Sequence, residues 1–319
     1  MRVLVTGATG FVGRFLCPLL AERGHDVIAA VRTPPEILID GLSGLVNVGE
    51  IGPETEWTDA LDRVDAIIHL AARAHVMDDL SPDPEACYHR TNVEGTICLA
   101  QAATRSGIKR FIYLSSVKAM AEESGTDPMT ESMPAQPGDA YGRTKLAAEE
   151  ALQRIATEAG MTYIILRPPL IYGPGAKANF LSLLKACDRR IPLPLASIRN
   201  KRSLIYLGNL ADALICCLED SRGAIGTFLV SDGEAVSTPE LICRISLALG
   251  QAPRLLMFPV PLLRLAGLMT GKAAAISRLT GSLDMDVSEI QKRLGWTPPF
   301  NMIQGLERTA EWFLKSGKP

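Results

Sequence analysis

An α/β fold, a doubly wound parallel sheet with a smaller C-terminal substrate lobe, is what this 319-residue sequence predicts. Three observations carry the prediction. The first half alternates short, nearly continuous apolar runs with helical patterns, as strands covered by helices on both faces do. The chain opens on a strand, a glycine turn and a helix: Val3-Leu4-Val5, then Gly7, Gly10 and Gly13, then the apolar positions Leu16, Leu19 and Leu20. After Arg167 the alternation breaks at Pro168-Pro169, Tyr172-Gly173-Pro174-Gly175, Pro192 and Pro194, a loop-rich transition into a second part.

Taken in order, the apolar runs predict strands at Val3–Thr6, Asp26–Val31, Leu45–Val48, Ala66–Leu70, Phe111–Leu114 and Thr162–Leu166. Helical periodicity predicts helices at Val12–Arg23, Pro84–Ser106 and Tyr141–Ala159. Right-handed crossovers between parallel strands place a ligand crevice at the carboxyl ends of the strands. Residues 1–167 are expected to form a dinucleotide-binding domain and 168–319 mainly the substrate lobe, with about 203–220 returning to the first domain. In the opening turn, Gly7, Gly10 and Gly13 let backbone approach a pyrophosphate, and the helix start at Phe11 and Val12 offers it free N–H groups.

Composition narrows the rest. The chain is 47% hydrophobic and 21% charged, enough for a large core, and its net charge of −2 argues against a nucleic-acid surface. Seven cysteines without a C-x-x-C pair and four histidines without ligand spacing predict no metal site. Buried, reduced thiols and a Met1 that leads straight into a strand give a cytoplasmic expectation. The apolar stretch Leu255–Met269 is interrupted by Pro259, Pro261 and Arg264 and is too short to span a bilayer. It reads as a helix packed on the body or on a partner, with peripheral membrane contact as the alternative.

A catalytic trio follows from spacing. Tyr141 and Lys145 lie four apart on a predicted helix and share one face, and Ser116 follows the strand ending at Leu114, at the crevice edge. A tyrosine titrates near ~10; a neighbouring ammonium favours its phenolate and brings it toward operating pH. Lys145 would supply that charge and hold the cofactor ribose, while Ser116 would bond a substrate oxygen.

Here the sequence resembles the extended short-chain dehydrogenase/reductase family, of UDP-sugar 4-epimerase type, over nearly its whole length. The likeness rests on the glycine turn, His69-Leu70-Ala71-Ala72, Asn92-Val93-Glu94-Gly95-Thr96, Tyr141-Gly142-Arg143-Thr144-Lys145, Leu166-Arg167-Pro168 and Tyr172-Gly173-Pro174-Gly175. It implies a Rossmann-like fold and a homodimer. It implies cofactor contacts from Arg14, Arg32, Glu50, Ile51, Leu70, Ala71, Ala72, Asn92 and Pro168, besides the glycine turn, Tyr141 and Lys145. It implies substrate contacts from Val76, Ser116, Asn179, Phe180, Arg202 and Arg278, the two arginines on a diphosphate.

Two departures shape the functional expectation. The second strand ends Val31-Arg32 where an NAD site wants an acid, and an arginine, helped by Arg14, suits a 2′-phosphate. Val117-Lys118 stands where the family's dehydratases carry Asp-Glu, which argues against dehydration. The sequence therefore predicts NADPH-dependent reduction of a 4-keto group on a UDP-linked 6-deoxy-N-acetylhexosamine, for surface polysaccharide. The alternatives are a UDP-sugar 4-epimerase with tightly bound NAD and, third, a cofactor-binding regulator without turnover.

Overall fold

Six apolar runs of the first half become strands, and a seventh joins them from far along the chain. In the computed structural model, which describes residues 1–35, 39–74 and 83–316, the strands are β1 (Arg2–Thr6), β2 (Asp26–Val31), β3 (Gly44–Asn47), β4 (Ala66–His69), β5 (Arg110–Leu114), β6 (Thr162–Arg167), β7 (Leu170–Tyr172), β8 (Arg202–Tyr206), β9 (Gly226–Leu229) and β10 (Ala235–Val236). The main sheet has seven strands in the order β3-β2-β1-β4-β5-β6-β9. Every pair in it is parallel. β1 meets β2 on one side and β4 on the other, so the strand order reverses there and the crevice opens above the end of β1. The doubly wound sheet is the one the sequence predicts.

The helices are α1 (Phe11–Glu22), α2 (Pro84–His89), α3 (Gly95–Arg105), α4 (Ala140–Ala159), α5 (Ala178–Asp188), α6 (Leu207–Glu219), α7 (Thr238–Ala248), α8 (Val260–Met269), α9 (Ala273–Thr280), α10 (Ser288–Leu294) and α11 (Met302–Lys315). The single helix expected at 84–106 is interrupted: a π-helical turn over Arg90–Glu94 separates α2 from α3. Local chemistry sets several ends. Asp139 caps α4, accepting from Gly142 N–H, and Gly160 ends it at φ +66°. Asn301 and Gln304 form a capping box at α11.

Two cores cover the sheet. On one face Val3, Val5, Leu16, Leu20 and Ile112 pack with Leu210, Leu214 and Leu218 of α6. On the other, Leu4, Ile67, Phe111 and Tyr163 pack with Leu99 of α3 and Leu152 of α4. A second sheet, β10-β8-β7, lies over a third core that includes Tyr172, Phe180, Ile242, Leu306 and Phe313. Among the described residues no helix is long and apolar enough to cross a membrane.

The glycine turn is closed by two approaches. Gly7 has φ +69°, and a Cβ there would sit 2.8 Å from the Ala71 nitrogen beyond β4. A Cβ on Gly13 would sit 2.4 Å from the Gly7 carbonyl oxygen. Gly13→Ala must push α1 off the turn and is expected to cost about 1–3 kcal/mol in urea unfolding, as overpacking does; an unchanged midpoint would contradict this packing.

Candidate active site

The site assembles where β1 and β4 end. Thr6 Oγ1 lies 2.7 Å from His69 Nδ1 and accepts from the Ala71 N–H at 3.2 Å. His69 Nε2 lies 3.1 Å from Thr96 Oγ1 on α3. Burial, and then the charge of Lys145, push His69 down to about 3, so the imidazole is neutral and acts as a brace. Gly10 precedes α1 without a side-chain cap, and the first turn of α1 carries no acid. The N–H groups of Phe11, Val12 and Gly13 have no intrahelical acceptor by helix geometry. An uncapped, acid-free helix start over a closed glycine turn fits the diphosphate of a dinucleotide.

The other expected cofactor residues spread around this turn. Leu70, Ala71 and Ala72 are half-buried past the end of β4. Pro168 is buried, and its carbonyl accepts from Val117 N–H at 2.9 Å. Ile51 packs on Gly95 at the start of α3. Arg14 is folded back on its own turn, Nε donating to the Thr9 carbonyl at 2.9 Å. Arg32 and Glu50 face each other at 3.8 Å with side chains 74% and 87% exposed. Asn92 is buried inside the π-helical turn, and its amide is engaged: it accepts from Arg73 N–H at 2.8 Å and donates to the Arg73 carbonyl and Thr144 Oγ1, each at 3.1 Å. It ties the segment after β4 to α4. Val76 lies outside the described residues.

Ser116, Tyr141 and Lys145 meet at the end of β5. Ser116 opens a short 3₁₀ turn and accepts from Lys118 N–H at 3.2 Å, and its side chain hydrogen-bonds Tyr141. The Tyr88 ring meets Tyr141 edge-on at 6.3 Å. Lys145 is buried; Nζ donates to the Leu114 carbonyl at 2.7 Å and stands 4.1 Å over the Tyr113 ring. The expected electrostatics need correcting. Burial, with the charge of Asp139, raises the Tyr141 hydroxyl well above the usual tyrosine range, against the pull of the Ser116 hydrogen bond. Burial also lowers Lys145 to about 7, so desolvation outweighs the expected help from the ammonium.

One group has no role in the sequence reading. Glu149 is buried one turn after Lys145, and it accepts from Arg167 Nη2 at 2.5 Å and from Arg167 Nε at 3.1 Å. It also accepts from Ser115 Oγ, and its charge raises Lys145 against burial. Its signal in the sequence is its place four after Lys145 and eight after Tyr141, on the same helix face. Lys118 has a structural task too: it bonds Asp139, the N-cap of α4, at 2.5 Å.

On the lobe side the expected residues do not form one cluster. Phe180 is corrected: it is a core residue, 2% exposed and stacked on Tyr172 at 5.3 Å. Asn179 is exposed at the start of α5. Arg202 is half-buried at the start of β8 and donates to the Gly281 carbonyl at 3.4 Å. Burial lowers its guanidinium, while the charge of Glu123 opposes the shift. Arg278 is exposed in the last turn of α9.

Two tests follow. Glu149→Ala leaves Arg167 buried without its counter-charge and is expected to destabilise by about 3–5 kcal/mol in urea unfolding; a loss under ~1 kcal/mol would remove Glu149 from this role. Lys145 is about 7 when folded against an ordinary 10.5. Between those values the unfolded chain binds a proton the folded chain does not, so this group's contribution to stability rises with pH. Measured against Lys145→Met, the wild type should gain stability between about pH 7 and about pH 9; a difference that does not change with pH would contradict a desolvated lysine.

Comparison with known proteins places the chain in a family. The model of the NAD dependent epimerase/dehydratase family matches residues 3–230. A UDP-glucose 4-epimerase from Vibrio cholerae is 39% identical over 317 residues, 98% of this chain and 96% of its own. A 2-alkyl-3-oxoalkanoate reductase from Stenotrophomonas maltophilia is 31% identical over 80% of this chain and 77% of its own. The structure of MoeE5 in complex with UDP-glucuronic acid and NAD superposes with a TM-score of 0.79 at 27% identity, covering 99% of this chain and 100% of that one. With its glycine turn, its Ser116–Tyr141 pair and a match from β1 to β9, this chain belongs to the NAD-dependent epimerase/dehydratase family.

Proposed function

We propose that the chain is a UDP-sugar 4-epimerase that keeps NAD bound through turnover. The observation that carries the reading is the contact between the Ser116 and Tyr141 side chains beside buried Lys145. That site can hold a sugar oxygen and move its proton, and the 3₁₀ turn offers Val117 and Lys118 where elimination would need carboxyl groups. The choice of epimerase over reductase is supported by the Vibrio cholerae relative, which is similar along the whole chain, whereas the reductase relative covers less of it. Arg32 carried the NADPH expectation. Its neighbour across the β2 end is Glu50, a carboxylate that repels an added 2′-phosphate, and this favours NAD.

The glycine turn, the first N–H groups of α1, and Lys145 would hold the cofactor. Bound NAD would supply the acceptor and then the donor of a hydride at sugar C4. Ser116 Oγ holds the 4-oxygen. Burial opposes the phenolate of Tyr141, and the positive charge of an oxidised nicotinamide beside it would favour that form. As phenolate, Oη takes the 4-hydroxyl proton as the carbonyl forms and, as phenol, gives it back as the carbonyl is reduced, so no net oxidation results. Arg202, half-buried at the start of β8, would receive the nucleotide diphosphate, whose binding positions the sugar carbon.

The purified protein, given UDP-glucose or UDP-N-acetylglucosamine and no added cofactor, is expected to form the 4-epimer, and to release NAD on denaturation. Absence of epimerisation, with NADPH consumed in proportion to product from a UDP-4-keto sugar, would replace this reading with the reductase. Tyr141→Phe is expected to lower turnover by roughly 10²–10⁴-fold with the fold intact; near-normal turnover would remove Tyr141 as the proton carrier.

A further inference from the structure

The hairpin of α8 and α9 carries an apolar face turned away from the body. α8 sits down on Leu263 and Gly267, and α9 packs so closely that a Cβ on Gly267 would meet Ile276 at 2.7 Å. The opposite side of α8 leaves Leu262, Leu265, Leu268 and Met269 between 51% and 81% exposed, and Met257 just before it is 89% exposed. Buried neighbours cannot explain these side chains, and a contiguous apolar patch on a soluble surface marks an interaction site.

Charge indicates what it meets. From Leu241 to Leu283 the chain has no acidic residue, although its net charge is −2. Arg254, Arg264, Lys272 and Arg278 in this segment are all exposed around the apolar face. A two-fold pairing of this patch with a second copy would set like charges against each other. An anionic lipid surface complements both features: the leucines and methionines enter the acyl boundary, and the cations meet the headgroups. At ten residues α8 is too short to span, so it lies in the interface plane.

We propose that the α8–α9 hairpin docks the protein peripherally on an anionic membrane surface through Leu262, Leu265, Leu268 and Met269. The docking element ends at Gly281, whose carbonyl accepts from Arg202. The proposal stands apart from the epimerase reading, and its test uses no turnover.

The test is co-sedimentation of the whole protein with vesicles of phosphatidylglycerol and phosphatidylcholine, against phosphatidylcholine alone. Binding should be roughly tenfold stronger to the anionic vesicles and should weaken between about 0.1 M and about 0.5 M salt. Leu265→Glu with Leu268→Glu should abolish binding, and Arg264→Glu with Lys272→Glu should reduce it several-fold, with the thermal midpoint unchanged because all four side chains are exposed. No binding by the wild type, or equal binding by both variants, would overturn the proposal. So would a dimer in light scattering that Leu265→Glu with Leu268→Glu converts to monomer, because the face would then be a contact between copies of this chain.

Discussion

The arrangement at the catalytic helix depends on one buried carboxylate. Glu149 sits on the buried face of α4, where a lone charge would be strongly disfavoured. Arg167 at the end of β6 and Ser115 beyond β5 both bond it. Helix and strand ends are thereby drawn to a single point. Lys145, one turn earlier, is buried beside that point and donates its hydrogen bond to the Leu114 carbonyl at the end of β5. If the Glu149 pairing were lost, α4 would lose one of the ties that fix its register on the sheet and, with it, the direction of Tyr141.

A second polar chain runs from the glycine turn to the same helix. Thr6 meets His69, His69 meets Thr96, the Thr96 hydroxyl donates to the Asn92 carbonyl, and the Asn92 amide donates to Thr144 on α4. His69 also stacks on Tyr113 at 5.5 Å, the ring over which Lys145 stands. Thr6, His69, Thr96, Asn92 and Thr144 bond one another in the interior, where each bond is stronger than in water and each omission is costly. The phosphate-binding turn and the proton-carrying helix are therefore parts of one buried framework. The π-helical turn at Arg90–Glu94 belongs to it, because it turns Asn92 toward both Arg73 and Thr144.

The lobe is fastened in a comparable way. Asp232 accepts from Tyr172 Oη at 2.7 Å, from Tyr206 N–H at 2.8 Å and from Asn209 at 2.7 Å, joining β7, β8 and α6. Asn200 donates to the Leu279 and Gly281 carbonyls and so holds the end of α9. The hairpin that exposes leucine and methionine is thus anchored at one end while its outer face stays free of the body.

The sequence by itself determined the sheet, the glycine turn and the trio, because these are local. Apolar runs, glycine spacing and a four-residue interval on a helix are read directly along the chain, and they set which elements form and which face each side chain shares. The tertiary structure decided what depends on distant neighbours. Asn92 is a tie between segments because Arg73 and Thr144 converge on it, and Phe180 is core because Tyr172 lies across it. Glu149 becomes a pivot only when Arg167 arrives from β6. Burial, which no spacing reveals, reversed the expected electrostatics of Tyr141 and lowered Lys145, because desolvation acts through everything packed around a group rather than through its place in the chain.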